Sequence, residues 1–115
     1  MPATLTVSLF SGRENPHVVL SAADIERIAQ ALREVTQHET SEHIEAPGLG
    51  YSGMIISADD PHLPKEVIVY RGIATIHRGN AVKHYDAGPL ERLLLTMAAS
   101  VLRSETLEYL RHEIQ

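Results

Sequence analysis

The sequence predicts an α+β domain: a two-layer sandwich with helices packed on a mainly antiparallel sheet of four or five strands, in the order β-α-β-β-β-α-α. Three observations carry this. Residues 4–10 (TLTVSLF) alternate aliphatic and hydroxyl side chains, as a half-buried strand does. Residues 65–86 (KEVIVYRGIATIHRGNAVKHYD) read as consecutive strands, the last two joined by Gly79-Asn80, a pair suited to a two-residue hairpin turn. Residues 21–37 and 89–114 instead repeat their apolar side chains at helical spacing.

Taken in order, the first strand points Leu5, Val7 and Leu9 to the core and Thr4, Thr6 and Ser8 away from it. The turn-rich segment 11–17 (SGRENPH) follows, then a short extended piece at residues 18–20. Ser21 and Asp24 have the spacing of a helix N-cap, and Ile25, Ile28, Ala29, Leu32 and Val35 form the apolar stripe behind it. Residues 38–50 show no period, and read as a long loop. Residues 54–57 (MIIS) are a short buried strand, and 59–64 a proline-stiffened loop whose Asp59, Asp60 and His62 fit ordinary turn chemistry.

Residues 66–71 are apolar on both sides, as in a central strand, and Gly72 is expected as a bulge or bend. Pro89 opens a helix with a broad apolar face of Leu90, Leu93, Leu94, Met97, Ala98 and Val101. A last helix begins near Ser104. Its narrow stripe of Leu107, Leu110 and Ile114 can dock on its own domain or on a second copy, so a homodimer is one expectation.

Composition excludes several classes of function. The 115 residues fit one domain, 1–115, with 43% hydrophobic and 22% charged residues. A net charge of −5, scattered basic residues, one Phe and no Trp argue against nucleic acid as a partner. The absence of cysteine rules out disulfides, thiolate metal sites and cysteine nucleophiles. No apolar run approaches the roughly 20 residues of a membrane span. The start MPATLTV lacks a basic-then-apolar leader, so a soluble cytoplasmic protein is expected.

Two clusters are candidate sites. Counting outward from Gly79-Asn80 pairs Arg78 with Ala81, His77 with Val82, Thr75 with His84 and Ile73 with Asp86. His77 and His84 then become diagonal neighbours roughly 7–8 Å apart. Asp86 lies on the same face, and Thr75 between. Two imidazoles and a carboxylate can hold a divalent transition metal or act as a general acid–base pair, so His77, His84 and Asp86 are the candidate catalytic and metal-binding residues. The plainer reading is a solvated sheet face, and neither face of the hairpin is apolar enough to mark the core.

The second cluster is a binding groove. Arg13 offers a fork for a carboxylate, and Asn15 a donor and an acceptor, directly after the first strand. Tyr51 and Arg71 complete it. The loop 38–50 adds His38, Glu42, His43 and Glu45 without a metal-ligand spacing. Its glycine run lacks the strand-before, helix-after context of a dinucleotide site, so no nucleotide cofactor is implied.

Two functions follow from these clusters. One is a binding or accessory module recognising a carboxylate-bearing small molecule or peptide, or a protein partner. The other is a small metal-dependent or His/Asp acid–base enzyme, a hydrolase, isomerase or cyclase. A serine hydrolase has less support, since no Gly-x-Ser-x-Gly elbow occurs.

Overall fold

A computed structural model of the chain describes residues 3–10, 15–41, 50–59, 61, 63–78 and 80–114. The elements are β1 (Ala3–Phe10), β2 (His17–Val19), α1 (Ala22–Val35), β3 (Glu39–Thr40), β4 (Gly50–Ala58), β5 (Glu66–Tyr70), β6 (Ile73–Arg78), β7 (Ala81–Asp86), α2 (Gly88–Ala98) and α3 (Ser104–Ile114), with a 3-10 turn at Ala99–Val101 between the last two helices. The strands form one antiparallel sheet of seven in the order β2-β1-β4-β5-β6-β7-β3.

The α+β class is as expected, but the strand count is seven rather than four or five. The additions are the two edges, of which β2 overlaps the short extended piece expected at residues 18–20. β2 has three residues and β3 has two, too few to display a period-two pattern. Backbone pairing creates them: Leu20 N–H donates to the Ala3 carbonyl at 2.8 Å, and Asp86 N–H to the His38 carbonyl at 2.9 Å. The chain reaches β3 from β2 through α1, so this helix leads from one edge of the sheet to the other.

The Ser21 hydroxyl accepts from Asp24 N–H at 3.1 Å and the Asp24 carboxylate accepts from Ser21 N–H at 3.3 Å, the reciprocal cap the sequence announced. Ile28, Ala29, Leu32 and Val35 are buried beneath it.

One face of the sheet forms the core. Leu5 and Val7, Met54 and Ile56, Val67 and Val69, and Ala74 and Ile76 are buried in register across the inner strands. Leu90, Leu94 and Ala98 of α2 and Leu110 and Ile114 of α3 join the same cluster. Each fully buried aliphatic side chain contributes roughly 1.5–3 kcal/mol, so this layer dominates stability. On α3, Leu110 and Ile114 are buried within their own chain, and Leu107 packs partly buried against the same cluster.

β4 carries one irregularity. Val7 pairs with Met54 but Leu9 pairs with Tyr51, so β4 holds an extra residue at a bulge. Gly53 has φ 115° there, and a Cβ on it would stand 2.9 Å from the Val69 carbonyl oxygen. Tyr51 lies three residues from Met54, so plain alternation would send it to the face opposite the core. The bulge returns it to the helix side.

Candidate functional site

The β6–β7 hairpin has the register counted from the sequence, from Arg78↔Ala81 to Ile73↔Asp86; residue 79 of its turn lies outside the described residues. Ala74, Ile76 and Tyr85 are buried, so the histidine-bearing face is the one turned away from the core. A single row crosses that face through all seven strands: His17, Thr6, Ile55, Ile68, Thr75, His84 and Thr40. A parallel row runs Val19, Thr4, Ser57, Glu66, His77, Val82.

These rows give His84 and His77 a partner each. His84 Nδ1 and the Thr75 hydroxyl are hydrogen-bonded at 2.9 Å. His77 Nε2 stands 4.0 Å from a Glu66 carboxylate oxygen, with both side chains nearly half exposed. Asp86, at the end of β7, lines a groove with residues of α1 and α2. Among the described residues, no three His, Asp or Glu side chains stand close enough together to hold a metal ion.

The residues of the proposed binding groove separate differently. Arg13 lies outside the described residues, as do Glu42, His43 and Glu45. The Asn15 carboxamide oxygen accepts from Leu9 N–H at 2.8 Å, closing the turn between β1 and β2. Tyr51 and Arg71 do come together, around a residue that sequence reading passed over.

That residue is Glu91, in the first turn of α2 and 2% exposed. Its carboxylate accepts from the Tyr51 hydroxyl at 2.7 Å, from Arg71 N–H at 3.2 Å and from Gly72 N–H at 2.8 Å. Ala87 N–H donates back to the Gly72 carbonyl at 2.6 Å. The strand-to-strand turn at residues 71–72 is thereby fastened to the start of α2. Burial, reinforced by the negative charge of Glu91, pushes the Tyr51 phenol far above its ordinary value, so it stays a donor.

The Tyr51 and Tyr70 rings pack at 5.6 Å, tilted by 59°. Arg71 Nε donates to the Tyr70 hydroxyl at 3.1 Å, leaving the Arg71 side chain exposed at the turn. Among the described residues no buried side-chain polar atom lacks a partner. One sequence signal could have revealed it: Glu91 sits between Ala87, Leu94 and Ala98 on the buried arc of α2.

Open space lies on the other side of α2. A groove of about 510 Å³ runs between α1 and α2. Its apolar lining includes Ala31 and Val35 of α1 and Leu90 and Leu93 of α2. Polar groups along it come from Arg27, Glu34 and His38 on one side and Asp86 on the other. The Glu91 clamp fixes where α2 begins, and so sets the position of this second wall.

No helix among the described residues is long and apolar enough to cross a membrane. Compared with known protein families, with curated proteins and with solved structures, the chain finds no match.

Proposed function

We propose that the chain is a non-catalytic binding module that holds a carboxylate-bearing apolar molecule in the groove between α1 and α2. The groove itself carries this reading. Its volume of about 510 Å³ falls in the range of small-molecule sites, and its lining is mostly apolar with a few polar groups at the margin. Ala31, Val35, Leu90 and Leu93 would cover the apolar body, and Arg27 supplies a planar fork for the carboxylate.

Amide NMR titration with octanoate tests it. Shift changes are expected along α1 and the first turns of α2. Ala31→Phe, which fills the groove from a partly buried position on α1, should abolish them while the amide shifts of the sheet stay in place. Absence of shifts, or shifts confined to the histidine-bearing sheet face, would remove this assignment.

A further inference from the structure

The charges along the groove are not evenly spread. Arg27, Ala31 and Glu34 follow one another at spacings of four and three, so they lie in a line along α1, and His38 follows in the turn after its C-terminus. The hydrogen bond from Asp86 N–H to the His38 carbonyl, 2.9 Å, places Asp86 at the His38 end. Glu34 is in the last turn of α1, the end from which the chain runs on to His38. Two carboxylates therefore mark that end of the groove, whereas Arg27 lies two turns further back, about 10 Å along the helix axis from Glu34. The floor between them is apolar.

Resting on the groove reading above, we infer that the occupant is a short extended peptide of about three residues. Its ammonium meets Glu34 and Asp86, its carboxylate meets Arg27, and an apolar central side chain lies on Val35, Leu90 and Leu93. Length decides the class. An extended chain spans about 3.3–3.6 Å per residue, so three residues match the separation of the charges. The two charges of a single amino acid are too close to reach both ends. A fatty acid would leave Glu34 and Asp86 without a partner, and a dicarboxylate would place like charges together.

Isothermal titration of the full chain with Ala-Leu-Ala, its N-acetyl form, its C-terminal amide and free leucine tests the assignment. The free tripeptide should bind tightest, and either cap should weaken it about tenfold, the scale of one lost hydrogen bond between charged groups. Arg27→Gln should erase the effect of amidation while keeping that of acetylation; Glu34→Gln with Asp86→Asn should do the converse. These are exposed side chains, so each variant is expected to fold.

Equal binding of capped and free peptides overturns the inference, as does the absence of any peptide binding. If octanoate binds and no peptide does, the groove remains a ligand site and only the peptide assignment fails. If neither binds, both fail.

Discussion

Two hairpins share β6, and they are held in opposite ways. The β6–β7 hairpin turns through Gly79-Asn80, whose local chemistry suits a tight turn on its own. The β5–β6 hairpin turns through Arg71-Gly72, with φ of 50° and 80°. A left-handed conformation disfavours arginine by roughly 1–2 kcal/mol. That turn persists because Glu91 accepts from both of its N–H groups and Tyr51 secures Glu91 from the third side. One turn is specified by its own residues, the other by a side chain about twenty positions later. Local and tertiary control thus meet on a single strand.

The largest expected effect tests the tertiary side. Glu91→Ala leaves the Tyr51 hydroxyl and two turn N–H groups without their acceptor, each worth about 1–3 kcal/mol when buried and unpaired. Urea denaturation should show a loss of roughly 3–5 kcal/mol, near the upper range for point substitutions. Glu91→Gln keeps the shape and one acceptor oxygen, and should fall between. A loss under about 1 kcal/mol for Glu91→Ala would mean that the turn holds itself.

Tyr51→Phe is next, at about 1–2 kcal/mol near neutral pH. It also has a pH signature. The folded phenol stays protonated above its ordinary value of 10.0, while the unfolded chain ionises there. Above that pH the unfolded state binds fewer protons, so this contribution to stability declines as pH rises. The slope is about 1.4 kcal/mol per pH unit. Subtracting the stability curve of Tyr51→Phe from that of the wild type should isolate this slope between pH 10 and 11.5. A flat difference would place the Tyr51 hydroxyl in solvent rather than against Glu91.

The same contrast explains which parts of the fold were legible in the sequence. The β6–β7 register followed from Gly79-Asn80 by counting, because the turn residues and the pairing they impose are adjacent in the chain. The cap of α1 was legible for the same reason. Gly72 was read as a bulge or bend because arginine before it gives no hairpin signal; the information lies in Glu91. The apolar face of Leu90, Leu93, Leu94, Met97, Ala98 and Val101 contains three of the residues on the buried arc of α2, but an apolar pattern passes over a carboxylate, and Glu91 lies on that arc with Leu90, Leu94, Leu95 and Ala98. Tyr51 and Arg71 were singled out for a binding groove, and the structure joins them through a contact between distant elements. The α1–α2 groove had no sequence signature, because its walls come from two helices that are far apart in the chain.

The third prediction exchanges turn residues between the two hairpins. Arg71→Gly relieves the left-handed conformation, offset in part by the greater freedom of glycine in the unfolded chain and by loss of the Arg71–Tyr70 contact. A gain of about 0.5–1 kcal/mol is expected by thermal or urea denaturation. Asn80→Gly exchanges one turn-forming residue for another and adds freedom to the unfolded chain, so it should be neutral or lose up to about 1 kcal/mol. Gains of equal size at both positions would erase the distinction between the turns.

The smallest effect belongs to the outer face of the locally specified hairpin. His77 is directly opposite Glu66, and the 4.0 Å contact between them is nearly half exposed at both side chains. An exposed pair of this kind is worth about 0–1 kcal/mol, and substitution away from the core stays within roughly 0.5 kcal/mol. His77→Ala should therefore leave urea stability almost unchanged, with amide shifts altered only around β5, β6 and β7. The Glu91→Ala and His77→Ala values then bracket the contrast, since one removes the acceptor that holds a turn and the other removes a side chain that no turn depends on. A loss above about 2 kcal/mol at His77 would require buried partners that an exposed imidazole does not have, and this face would then have to be a covered surface.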